Sequence, residues 1–214
     1  MAPTGLPHPG AVPRECRVAV HDSRGALILA SFLRHALGYS RRSGEGGLTV
    51  LCIGTDRATG DALGPLVGTL LHERPPAGAE ILGTLEAPVH ASNLAEVAAG
   101  LHRRQPSPLV LAVDACLGRS EAVGTVTAGF GALRPGAGVN KILPAVGDLH
   151  VTGTVNVDGF MEYFVLQNTR LHLVLTMARL IAQSLRLALE DGDAQVSPLR
   201  RAAAMASSSS LESG

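Results

Sequence analysis

The sequence predicts a single α/β domain with a mostly parallel sheet, and three observations carry that prediction. Two short apolar runs, Leu48 to Ile53 and Leu109 to Val113, are apolar on both faces, as strands buried in the middle of a parallel sheet are. Segments whose apolar residues recur at helical spacing alternate with the strand-like runs, the pattern of strand–helix–strand units. At 214 residues the chain is long enough for one such domain with a sizeable core and short for two.

Taken in order, residues 1–20 are rich in Pro and Gly and lack a basic start followed by an apolar core. A disordered lead is expected there, not a signal peptide. The domain is expected over 21–192, followed by a disordered low-complexity tail over 193–214 that ends AMASSSSLESG. Residues 22–38 carry an apolar stripe through Leu27, Leu29, Ala30, Leu33 and Leu37, with Asp22 or Ser23 as cap and Gly38 as stop, which predicts a first helix. Residues 39–47 form a polar link into the strand at 48–53. A second helix is expected from Asp61 to Arg74, ended by Pro75 and Pro76.

A strand follows at Glu80 to Leu85, then a helix in SNLAEVAAGLHRR, where Asn93 and Glu96 have capping-box spacing. Pro106 and Pro108 break that helix before the strand at 109–113. Residues 122–130 alternate as a further strand. Residues 131–150 read as a long, ordered, functional loop. A short strand is expected at 151–157 and a long or broken helix from Phe160 to Glu190. The run from Leu171 to Leu189 has membrane-spanning length, but Arg170, His172, Arg179, Gln183 and Arg186 interrupt it, so a packed helix and no membrane are expected.

Composition narrows the function. Eighteen basic and eighteen acidic residues balance, so no polyanion-binding surface is indicated. Aromatic residues make up 3% of the chain, without Trp, which argues against a base-stacking platform. Nucleic acid is therefore not an expected partner. Cys16, Cys52 and Cys116 match no zinc-ribbon spacing, and two of them lie in apolar runs, as buried free thiols of a reducing cytoplasm do.

Two strand-like runs each deliver an aspartate at the carboxyl end, Asp61 after the first and Asp114 after the second. Ligands of open α/β sheets bind outside those strand ends, so neighbouring strands would place both acids on one cleft. Two carboxylates in a water-poor cleft cannot both ionise easily, and such a pair supplies a general base and a general acid for hydrolysis. Helix capping is the alternative reading of each acid. Two aspartates with a histidine, His150 first and His90 next, are also a donor set for a divalent metal. Thr55, Asp56, Arg57, His90, Asn156 and Arg170 are the candidate substrate-binding residues. Neither Gly-Lys-Ser/Thr nor GxGxxG after a strand is present, which leaves nucleotide binding weakly supported.

Five ordered motifs add a resemblance. CIGTDRATGDALGPLVG at 52–68, GTLEAPVHASNL at 83–94, VDACLG at 113–118, LRPGAGVNKILPAVGD at 133–148 and TGTVNVDGFMEYFVLQNTRL at 152–171 together resemble the sporulation protein YyaC family of endospore-forming bacteria over roughly residues 48–182. That family is similar to the germination protease of spores, which shares the string at Asp61 to Pro65 and the Asp114-Ala115 pair after a buried strand. The resemblance implies a catalytic role for Asp61 and Asp114. It also implies a phosphorylase/hydrolase-like, three-layer α/β/α sandwich. More distantly, the fold is similar to hydrogenase maturation proteases, whose nickel-recognising site uses a Glu, an Asp and a His. Asp114 suits that Asp and His150 that His, while the Glu has no counterpart beyond Asp61. The expected function is a cytoplasmic peptidase of the mother cell or forespore, acting on a protein or peptide and needing no cofactor. A divalent metal, self-association and a non-catalytic ligand-binding role stay open.

Overall fold

The computed structural model describes residues 13–41, 46–136, 143–159 and 161–190. The expected tail, residues 1–12 of the expected lead, and residues 137–142 and 160 lie outside the described residues. The rest of the lead departs from expectation: Glu15–Ala19 is strand β1, paired antiparallel with a later strand through the register Cys16 to Ala128 and Val18 to Val126. Cys16 and Val18 turn inward on it, the alternation of a strand with one covered face.

Helix α1 (Gly25–Ser40) follows a turn in which Asp22 Oδ1 accepts the Arg24 N–H at 2.8 Å. Strand β2 (Gly46–Cys52) leads through a 3-10 turn at Gly60–Ala62 to α2 (Leu63–Glu73). Strand β3 (Ala79–Leu82), α3 (Leu94–Arg103), β4 (Pro108–Gly118), β5 (Thr125–Phe130), β6 (Leu149–Val157), α4 (Glu162–Gln167) and α5 (Leu171–Glu190) complete the order. The long-or-broken helix is broken, and β4 runs five residues past its expected end.

The six strands lie in the order β1-β5-β6-β4-β2-β3. Pairs β6/β4, β4/β2 and β2/β3 are parallel, whereas β5 is antiparallel to both its neighbours. Five strands thus point one way and β5 alone opposes them, the mostly parallel sheet that the sequence predicts. Helices α1, α2 and α5 cover one face over a core that includes Leu33, Leu63, Leu111, Val151 and Ile181. On the other face α3 packs Leu94, Ala98 and Leu101 against Leu51, Ile53 and Ala112. This makes three layers, the second helical layer built, among the described residues, on α3.

The α5 helix is long and apolar enough to cross a membrane by length and composition alone, yet half of that stretch is buried in the fold. Its buried residues Val174, Met177, Ile181 and Leu185 recur at three- and four-residue spacing, the stripe of a helix lying on a core. Arg186 also donates to the Leu70 and Arg74 carbonyls near the end of α2, tying the two helices together.

The approach of α2 to the sheet is set by glycine. A Cβ on Gly64 would lie 2.0 Å from the Ile53 carbonyl oxygen, and one on Gly68 would lie 2.1 Å from that of Gly83. Both obstacles are backbone, so relief requires moving the helix. We expect Gly64→Ala to lower unfolding stability by about 3 kcal/mol in a denaturant titration. Gly100→Ala, in α3 with nothing within 4 Å of the added carbon, is expected to raise it by about 0.5–1 kcal/mol.

Candidate active site

The site forms where β2 ends and β4 continues. Cys52 is the last β2 residue in register, opposite Val113, and the Ile53 N–H then donates to the Val113 carbonyl at 2.7 Å. Beyond it the Gly54 N–H turns to the Val89 carbonyl at 2.8 Å, and the chain leaves the sheet. Gly54 has φ +141°, and a Cβ there would lie 2.0 Å from the Asp61 carbonyl oxygen. Glycine is thus what lets the loop close on itself, with the Thr55 N–H donating to the Asp61 carbonyl at 3.1 Å.

Asp61 sits inside the 3-10 turn and makes no side-chain cap bond, since the flanking cap positions are Thr59 and Ala62. Asp114 lies within β4, not at its end, and is buried. The capping readings of both acids therefore fail. Asp114 Oδ1 accepts the N–H of the next residue, Ala115, at 2.9 Å. By the two-residue period of a strand, Ala112, Asp114 and Cys116 share the face on which α3 lies.

Both acids line a cleft of about 810 Å³ at the carboxyl ends of β2 and β4. Burial raises the Asp61 carboxyl above the usual carboxylate range, opposed by the Thr55 amide and by the charge of His90. Asp114 is held well above its ordinary value, first by burial and then by the negative charge of Asp61, with the Ala115 amide opposing. The Asp61 charge therefore reaches the Asp114 carboxyl in a poorly solvated space, where adding a second negative charge is unfavourable.

Of the two histidines, His90 is the one whose charge reaches Asp61. Its backbone N–H donates to Asn93 Oδ1 at 2.8 Å, Asn93 Nδ2 donates to the Pro88 carbonyl at 3.1 Å, and the Ser92 N–H donates to His90 Nδ1 at 3.2 Å. An accepting Nδ1 puts the neutral ring's proton on Nε2. Asn93 is thus spent on the His90 turn and makes no cap bond to α3, unlike the capping box expected from its spacing. His150 also lines the cleft, but its Nδ1 bonds the Gly131 carbonyl at 3.0 Å. Its ring lies over Gly129 of β5, where a Cβ would meet Nε2 at 2.9 Å. Among the described residues no three His, Cys, Asp or Glu side chains converge as a metal site.

Thr55, Arg57 and His90 line the cleft with the acids, whereas Asp56, Asn156 and Arg170 do not. Asp56 and Arg170 are exposed. Asn156 acts behind the cleft wall: its Nδ2 donates to the Val165 carbonyl and to Thr169 Oγ1, each at 3.2 Å, pinning α4 to β6. The end of α4 in turn presses on the Asp61 turn, since a Cβ on Gly60 would lie 2.8 Å from Leu166 Cδ2. Cys116, Thr152, Arg134, Asp158, Glu162 and Tyr163 also line the cleft and were not singled out from sequence. Cys116 was legible, lying two residues beyond Asp114 on the same face. Burial raises its thiol pKa, with Thr154 and Thr152 opposing, so it is a poor nucleophile at neutral pH.

Fold and cleft together define an α/β protein with two aspartates, Asp114 buried and Asp61 partly so, in a cleft that opens where β2 ends and β4 continues. The chain belongs to the family described as "Protein of unknown function (DUF1256)", whose model matches residues 17–184. It is 51% identical over 176 residues to "Uncharacterized protein YyaC" of Bacillus subtilis (strain 168), a match covering 81% of this chain and 82% of that one. Among solved structures it is similar to a [NiFe] hydrogenase maturation protease, HycI from Thermococcus kodakarensis KOD1. The TM-score is 0.42 and the identity 19%, over 69% of this chain and 95% of that one.

A carboxyl whose pKa is raised on folding favours the folded state most at low pH, and that contribution is lost as pH rises through the folded-state pKa. Asp114→Asn removes the ionisable group and keeps an oxygen for the Ala115 N–H. The variant is expected to melt above the wild-type chain at pH 8. The gap should shrink as pH falls and close below about pH 4, the ordinary aspartate pKa. A gap independent of pH would show that Asp114 does not carry the raised pKa.

Proposed function

We propose that the chain is a peptidase that hydrolyses peptide bonds of protein substrates with Asp61 and Asp114 as its acid–base pair. It acts during sporulation or germination, in the cytoplasm of the mother cell or forespore. The observation that carries this reading is one cleft lined by two aspartates, Asp114 buried and Asp61 partly so, with the charge of Asp61 acting on Asp114. The sporulation setting is supported by the ordered motifs shared with the YyaC family and, through Asp61 to Pro65, with the germination protease.

The environments of the two acids divide the roles. Asp114 is the more deeply buried and further raised by its neighbour, so it keeps the shared proton. Asp61 lies beside His90 and carries the negative charge. A water between them loses a proton to Asp61 as its oxygen attacks the peptide carbonyl carbon. Asp114 then gives its proton to the amide nitrogen as the C–N bond breaks, releasing a carboxyl and an amine. The charge of a protonated His90 favours the ionised form of Asp61. No step of this reading is routed through a metal.

The test is incubation of a protein extract of sporulating cells with the purified chain, with new peptide termini read by mass spectrometry. Defined termini are expected with the wild-type chain and with added chelator. Asp61→Asn and Asp114→Asn are each expected to slow their appearance by about 100- to 10,000-fold. Unchanged cleavage by both variants, or no termini at any pH between 4 and 8, would contradict the peptidase reading and favour a binding protein that uses the same cleft.

A further inference from the structure

The cleft has a floor that the acid-pair chemistry does not use. Strand β4 continues through Asp114, Ala115, Cys116, Leu117 and Gly118, paired with β6 as far as Val157. On its other side β2 stops at Cys52, and the Ile53 bond to Val113 is the last of that ladder. Backbone groups of successive strand residues point to opposite sides. The Asp158 N–H reaches the Gly118 carbonyl on the β6 side at 2.8 Å, and Val113 faces β2. Ala115 and Leu117 therefore turn their N–H and C=O groups toward the side that β2 has vacated.

Among the described residues no strand lies beside them there, and both residues line the cleft. A strand edge that lines a cleft with no strand paired to it is a template for one more strand. The Ala115 N–H is engaged only locally, by its own neighbour Asp114 Oδ1 at 2.9 Å. That is what an edge amide does when a carboxylate is the nearest acceptor and no strand supplies a carbonyl.

We propose that the free edge of β4 at Ala115 and Leu117 binds an extended peptide by strand addition, completing the sheet in the place where β2 ends. The occupant is an unfolded or extended polypeptide segment recognised mainly through its main chain, and not a folded surface or a small metabolite. Main-chain recognition suits this cleft because the edge itself carries only the small side chain of Ala115 and the partly covered Leu117. The inference rests on the peptidase reading for what happens next. A peptide carbonyl that takes the Ala115 N–H releases Asp114 Oδ1 from it, and loss of that donor, which favours the ionised form, leaves the carboxyl holding its proton more firmly when a strand is in place. Binding and proton transfer are then coupled through one backbone amide, and an empty cleft keeps its acid engaged.

The experiment titrates the 15N-labelled full-length chain with a capped, mixed-sequence heptapeptide library and with the same library N-methylated at every residue. Amide shifts and new peptide termini are both read. Saturating shifts centred on the Ala115 and Leu117 amides are expected with the first library, and binding about tenfold or more weaker with the second, because methylation removes every donor on the peptide main chain. Equal binding of the two libraries, or shifts that leave Ala115 and Leu117 unmoved, would overturn strand addition. The two readings fail separately. Edge binding without new termini upholds strand addition and counts against the peptidase, whereas new termini with the Ala115 and Leu117 amides unmoved overturns strand addition and leaves the peptidase standing.

Discussion

The hydrogen bond from the Ile53 N–H to the Val113 carbonyl is the interaction on which the rest of the site depends. It is the last link between two parallel strands of unequal length, and everything functional happens just past it. Before it, residues 48–52 of β2 and 111–113 of β4 are buried on both faces. After it, β2 turns off through Gly54 while β4 runs on beside β6. The space between the diverging chains becomes the cleft. Shifting the register of β4 by one residue would carry Asp114 to the opposite face of the sheet, since side chains alternate along a strand.

Two constraints hold Asp61 against this cleft, and both are backbone approaches that a Cβ would forbid. Gly54 lets the Asp61 carbonyl come down on the loop, and Gly64 lets α2 start directly over Ile53. From the other side α4, pinned to β6 by Asn156, presses Leu166 and Thr169 on Gly60. The acid turn is thus clamped between the end of β2 and α4, with no salt bridge to it among the described residues. That matters electrostatically. A nearby lysine or arginine paired to either acid would favour its charged form and undo the effect of burial. Burial is the largest influence on both carboxyls, and their mutual repulsion adds to it at Asp114.

Much of this was legible in the sequence, because the signals were local. The buried strands at 48–53 and 109–113 announced themselves by two-sided apolarity, and the two aspartates by their position after those runs. The Gly-rich string around Asp61 marked a loop and helix junction. What escaped depends on partners distant in sequence. Strand β1 is only five residues long, and its pairing with β5 spans more than a hundred positions. The extension of β4 to Gly118 is stabilised by β6, so nothing in Ala115-Cys116-Leu117 alone separates strand from loop. Asn93 and Asn156 looked like a cap and a cleft residue. Each instead satisfies backbone groups of a neighbouring turn or helix, a choice set by tertiary geometry. The relative standing of His90 and His150 also turned on three-dimensional placement, since both line the cleft and only one acts on Asp61.

The central claim is that Asp61 and Asp114 form one coupled pair, and the most direct measurement is a 13C titration of the aspartate carboxyls by NMR in the wild-type chain and in Asp61→Asn. The account predicts that Asp114 titrates well above the ordinary aspartate range in the wild-type chain. In the variant it should titrate lower yet still above that range, because burial remains when the neighbouring charge is gone. An Asp114 carboxyl that titrates near pH 4, or whose titration is the same with and without Asp61, would contradict it.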